Sequence, residues 1–176
     1  MTIYKFLKHE HSEVEKLLKK ANKIWDKNPK SSHKLFETIK KELISHNKAE
    51  EECFYMPLKE LACSRNKDCA ALEGKEEHHM IALMLKELST LDFKSPIWQA
   101  KLSVLTEMVA HHIKEEESMI FKEGHKFFSK AEAKEICVKM KTLKNKYLKQ
   151  VNPLMEKEVQ LILQPSLDFN TDHVLN

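Results

Sequence analysis

The sequence predicts an all-α fold, an up-down four-helix bundle with an additional C-terminal helix and tail. Three observations carry that expectation. Among 176 residues there are only two glycines and five prolines, too few turn residues for a β-sandwich or a Gly-loop nucleotide fold. Apolar residues recur at helical spacing in five successive stretches. Between them stand helix-boundary signals such as Asn28-Pro29, Ser95-Pro96, and Ser129 with Glu132.

The first helix is expected from Ile3 to Trp25, with Tyr4, Leu7, His11, Val14, Leu18, Ala21 and Trp25 on one stripe. Asn28-Pro29 ends it, and Ser31 or Ser32 is the candidate cap of the second helix. The second stripe is Leu35, Ile39, Leu43, His46, Glu50 and Phe54, stopping near Pro57. A polar loop around Ser64 to Asp68 leads to a third helix with Ala71, His78, Ile81, Leu85 and Leu88, ending near Asp92. Ser95 caps the fourth and Pro96 opens it. Its stripe is Trp98, Leu102, Leu105, Val109, His112, Glu116 and Ile120, with Gly124 as the expected stop. A fifth helix starts at Ser129 in a capping box with Glu132 and shows Ala133, Ile136, Met140, Leu143 and Tyr147. After Pro153 the apolar run Val159 to Leu163 is a candidate for docking on the bundle, whereas Phe169 to Asn176 reads as loose. The expected domains are 1–128, the bundle, and 129–176, the C-terminal amphipathic helix and tail.

Charge excludes several function classes. The net charge is +3, with lysines and glutamates interleaved almost throughout, the pattern of a solvated helix surface rather than of a nucleic-acid interface. The basic run Lys139 to Lys149 rides on an amphipathic helix and reads as a solvated face. No stretch approaches a membrane span and no signal-peptide pattern opens the chain. Cys53, Cys63, Cys69 and Cys137 form no CxxC pair; free thiols in a reducing cytoplasm are expected, with a redox-linked Cys63–Cys69 disulfide left open. Neither nucleic acid nor membrane is an expected partner. A protein partner or a homodimer contact through the C-terminal helix stays open.

Each of the four bundle stripes is interrupted by one histidine, and two also by a glutamate. One histidine on an apolar stripe is ordinarily a satisfied core residue. An ionised carboxylate in a core, however, needs a partner or a metal, and here four histidines and two glutamates share core phase. His46 and Glu50 are four apart, as are His112 and Glu116, so each pair shares one helix face. The pattern also repeats, because His11 precedes His46 by almost the interval that separates His78 from His112. Segments 46–51 and 112–117 match in position, and each reaches an aromatic residue, Tyr55 or Phe121. Two hairpins, each giving His and then His-x-x-x-Glu, would face one another about a pseudo-twofold axis and make a dinuclear site. His9/Glu13, His11/Glu15, His33/Glu37 and His111/Glu115 share the spacing, but phase separates most of them. At about 100° per residue His9 lies roughly 160° from His11. His9, His33, His79 and His111 are therefore read as surface or supporting residues, and His125 and His173 fall outside the pattern.

Glu10-His11 with Leu17-Leu18, His46 through Pro57, Glu77-His78 through Leu88, and His111-His112 through Phe121 resemble the hemerythrin-like HHE cation-binding domain over about residues 1 to 128. The resemblance implies a cofactor of two iron ions, with His11, His46, His78 and His112 as terminal ligands and Glu50 and Glu116 as bridges. Zinc or manganese are possible substitutes on the same donors. It also implies small ligands such as oxygen, nitric oxide or peroxide, and no conventional enzyme. The sequence departs from oxygen-carrying hemerythrins, which have a fifth histidine from a His-x-x-x-His pair on the third helix. Here Ala82 follows His78 at that spacing and Leu83 follows His79. A set lacking one histidine resembles bacterial proteins linked to iron-centre repair and nitric-oxide response. The expected function is therefore a cytoplasmic di-iron protein that binds or senses oxygen or nitric oxide, or handles iron. Two alternatives remain. A ferritin-like di-iron oxidase would need two Glu-x-x-His pairs, and only Glu76-x-x-His79 occurs. A metal-free helical interaction module would leave the histidines merely packed.

Overall fold

A computed structural model of the chain describes residues 1–62 and 70–151. The expectations for Cys63, Cys69 and the loop around Ser64 to Asp68 lie outside the described residues, as do those for Val159 to Leu163, Phe169 to Asn176 and His173. All regular structure among the described residues is helical. In chain order the helices are α1 (Ile3–Ile24), α2 (Pro29–Glu50), α3 (Met56–Ala62), α4 (Ala70–Thr90), α5 (Pro96–Glu115), α6 (Phe121–Phe127) and α7 (Lys130–Leu148). A π turn over Glu51–Tyr55 joins α2 to α3, and a second over Glu116–Ile120 joins α5 to α6. Four rods thus form the bundle, which is all-α, and α7 is the additional helix. None of the described helices is long and apolar enough to cross a membrane.

Three boundaries differ from expectation, each for a local reason. Neither Ser31 nor Ser32 caps α2. Asn28 does, its side chain accepting from the Ser31 N–H at 3.0 Å, and Pro29 fills the first helical position, where a missing N–H is harmless. The Ser32 hydroxyl instead donates to the Ala21 carbonyl, tying α2 to α1 at 2.9 Å. The second rod does not stop near Pro57, because the Met56 N–H bonds back to the Glu51 carbonyl. That shift of register starts a new α-helical segment in which Pro57 is the second residue, so its missing N–H falls where few partners exist. Gly124 is not a stop either, since α6 runs to Phe127. A Cβ on Gly124 would meet the Tyr4 hydroxyl at 2.9 Å and the Phe54 ring at 3.0 Å; close packing explains the glycine. The expected caps at Ser95 and Ser129 are both present, the latter as a full capping box.

The core falls into two apolar clusters. One gathers Ile3, Tyr4, Leu7, Phe54, Leu58 and Phe121 with Ala133, Cys137, Met140 and Tyr147 of α7. The other gathers Val14, Leu18, Phe36, Ile39, Leu85, Trp98 and Leu102. On α1, His11 stands between Leu7 of the first cluster and Val14 of the second. The polar residues thus form a layer separating two greasy halves. Helix α7 packs along α2 and α1. Cys53 and Cys137 are free, buried thiols.

Candidate metal centre

His11, His46, Glu50, His78, His112 and Glu116 are all buried, and both carboxylates are fully so at 0% exposure. The structure brings the six together. His9, His111 and His125 are exposed, while His33 and His79 are half-buried. His33 stacks on Phe93, ring centres 4.6 Å apart, well away from the polar layer.

The imidazole Nε2 atoms point at the carboxylates. Glu50 Oε2 lies 3.5 Å from His46 Nε2 and 3.6 Å from His78 Nε2. Glu116 Oε2 lies 3.1 Å from His11 Nε2 and 3.8 Å from His112 Nε2. Each carboxylate therefore reaches one histidine of each hairpin. His78 Nε2 and His112 Nε2 stand only 3.0 Å apart.

The opposite ring nitrogens explain why Nε2 faces inward. Nδ1 of His11 donates to Glu117 at 3.0 Å, that of His78 to Glu51 at 3.0 Å, and that of His112 to Glu77 at 2.7 Å. An ionised carboxylate can only accept, so these contacts place a proton on Nδ1, and in the neutral ring Nε2 is then the lone-pair donor. The fourth pair, His46 Nδ1 to Glu10, is longer at 3.8 Å. There the Lys144 ammonium of α7 binds Glu10 and also Glu42. The supporting carboxylates follow the pseudo-twofold repeat. Glu10 and Glu77 precede His11 and His78, while Glu51 and Glu117 follow Glu50 and Glu116. Aromatic rings obey it too, with Tyr55 stacked on His78 and Phe121 on His11.

Sequence reasoning assigned no role to Glu10, Glu51, Glu77, Glu117 or Lys144. The first four had a signal, since Glu-His and Glu-Glu dipeptides recur in both hairpins. Lys144 had none, because its role depends on how α7 docks.

Without a cation the layer is poorly satisfied. All four oxygens of Glu50 and Glu116, and Nε2 of His11, lack a hydrogen-bond partner; the 3.1 Å approach of His11 to Glu116 is not aligned for one. Leaving a buried polar group unpaired costs about 1–3 kcal/mol, more when charged. Burial and the neighbouring Glu116 push Glu50 up to about 8. Burial opposes ionisation of Glu116 as well, but His11 holds it down to about 2. His78 is pulled well below the usual imidazole range by burial and by His112. Two carboxylates and four inward nitrogens around one point suit divalent first-row ions; within this set, Glu50, His78 and His112 already converge as a potential metal-holding group. Beside the layer lies a cavity of about 280 Å³, reaching His11, His46 and His112 past Val14, Leu17, Leu43, Val109 and Ile113, with Glu10, Glu13, Glu42 and Lys144 also in its walls.

The family profile of the Hemerythrin HHE cation binding domain matches residues 2–123, well over half the chain. No curated protein and no solved structure matches the sequence.

Proposed function

The chain belongs to the hemerythrin HHE cation-binding family, and from that premise we propose that it is a cytoplasmic, non-haem di-iron protein that binds or senses small ligands of the oxygen and nitric-oxide class. His11, His46, His78 and His112 would hold the two ions, and Glu50 and Glu116, each facing a histidine of both hairpins, would be shared between them. Support comes chiefly from the unpaired oxygens of Glu50 and Glu116, each carboxylate facing one Nε2 of both hairpins. A bridged iron pair, when bound, supplies reversible redox change and open positions for a small ligand.

The chain's own residues do the rest. Glu117, Glu51 and Glu77 fix the tautomers of His11, His78 and His112, so the donor atoms need no reorientation when metal enters. The cavity beside the layer gives small molecules a route to His11, His46 and His112 between Val14, Leu17 and Val109 on one hand and Glu10, Glu13, Glu42 and Lys144 on the other. Zinc or manganese would fit the same donors, and iron is preferred on the family relationship. A metal-free interaction module would leave two buried carboxylates without partners. A ferritin-like oxidase would need a second Glu-x-x-His pair.

Anaerobic loading with ferrous iron, followed by nitric oxide, tests this function. An iron–nitrosyl optical and paramagnetic resonance spectrum is expected in the wild type and not in His78→Ala. Absence of any nitrosyl signal in fully iron-loaded protein would overturn the small-ligand role.

A further inference from the structure

Glu77 has two different neighbours. Its Oε2 accepts from His112 Nδ1 at 2.7 Å. Its Oε1 faces outward, 3.7 Å from Nε2 of His111, and that same nitrogen lies 3.3 Å from Glu115 Oε1. One atom from each of Glu77, His111 and Glu115 falls within 4.8 Å of the other two. Glu73 lines the same small cleft as Glu77 and Glu115. Glu77 and Glu115 are only partly exposed, with 22% and 33% of their side chains open to solvent, whereas His111 is 62% open. Among the described residues no lysine or arginine is paired with Glu77 or Glu115.

The other half of the pseudo-twofold repeat shows what such a carboxylate attracts. Glu10 occupies the place of Glu77, one residue before its hairpin's first histidine. There the Lys144 ammonium sits against Glu10 and Glu42 and supplies positive charge. Among the described residues, helix α7 packs chiefly on α1, α2 and the π turn that follows α2, and none of its lysines is paired with Glu77. Beside Glu77 the chain places an imidazole and a second carboxylate instead. These are metal donors, and they are accessible.

We propose that Glu77, His111 and Glu115 form a second, exposed site for a divalent first-row cation, separate from the buried dinuclear centre. One imidazole and two carboxylates favour manganese, ferrous iron or zinc over calcium or magnesium, which prefer all-oxygen sets. Exposure leaves the remaining positions to water, so the ion is held more loosely than the buried pair. Glu77 joins the two sites through its two oxygens, one directed at the exposed ion and one at His112. The outer ion therefore sits one carboxylate away from a ligand of the buried centre.

The test uses iron-loaded, air-oxidised protein from which loosely held ions have been removed by a weak chelator and desalting, so that the exposed site starts empty. Manganous ion is titrated in, free manganese is read by paramagnetic resonance, and iron is counted before and after. One additional manganese per chain is expected, with iron unchanged. His111→Ala and Glu115→Gln should each weaken that uptake at least tenfold while leaving the iron count alone. Uptake that is absent in the wild type, or equal in wild type and both variants, would overturn the exposed site. The iron count before titration reports separately on the dinuclear assignment.

Discussion

Glu117, in the π turn after α5, accepts a 3.0 Å hydrogen bond from Nδ1 of His11, a residue 106 positions earlier on α1. Glu51 does the same for His78 from the other hairpin. Each hairpin thus orients a histidine of its partner, and neither can preset both of its histidines alone.

Removing such a supporting carboxylate should weaken metal without unfolding the bundle. Glu117→Ala and Glu51→Ala should each lower metal affinity by about 10–100-fold, the usual range for partners of this kind. Competition with a chelator measures it. Unchanged affinity in both variants, with wild-type helicity, would mean the Nδ1 contacts are incidental.

Glu50→Ala and Glu116→Ala should each reduce occupancy at both metal positions, because each carboxylate lies between histidines of both hairpins. His9→Ala and His33→Ala should retain both buried ions. Elemental analysis after anaerobic iron loading decides. The same assay compares His112→Ala with His111→Ala, and a loss of buried iron confined to His111→Ala would put the wrong face of α5 inward.

Uptake of metal should release protons and strengthen as pH rises. Burial and Glu116 hold Glu50 near 8, so at pH 7 it is largely protonated and must lose that proton to bind metal. His11 and His46 are raised as well, since Glu116 and Glu50 outweigh the burial that opposes their charge. All three shifts have the same sign: affinity falls as pH drops and these groups protonate, with the Glu50 contribution lost below about pH 8. Metal addition to weakly buffered protein, followed with a pH indicator, should show acid release. Affinity that is flat from pH 6 to 8 would contradict this.

Much of this was legible in the sequence because two periodicities coincide. Helical phase picked out His11, His46, His78 and His112 from ten histidines, and the near-equal hairpin intervals paired them. The π turns were not legible. They depend on how the rods past Glu50 and Glu116 must rotate to pack Tyr55 on His78 and Phe121 on His11, which is tertiary information. Gly124 read as a helix stop because glycine ordinarily marks one; its reason here is the Tyr4 and Phe54 rings on other helices. Lys144 looked like part of a solvated basic face until α7 was seen to lie over Glu10.

Reversible oxygen carriage is not expected. Ala82 is buried beside the third-helix histidine without offering a donor, and Leu83 follows His79, which is only half-buried. Among the described residues no further histidine lies in the buried polar layer to supply the fifth imidazole of a carrier. Mixing the reduced, iron-loaded protein with oxygen should give rapid oxidation to a diferric form. A stable oxy spectrum lost under vacuum and regained over several cycles would contradict that outcome and bring His79 or His111 into the coordination sphere.

The most direct test of the dinuclear assignment is a metal count on protein produced in iron-replete cells, repeated after anaerobic ferrous loading and removal of loosely held ions. Two iron ions per chain are predicted, with magnetic coupling between them in the oxidised state. One tightly bound zinc per chain, with no gain on iron loading, would contradict it.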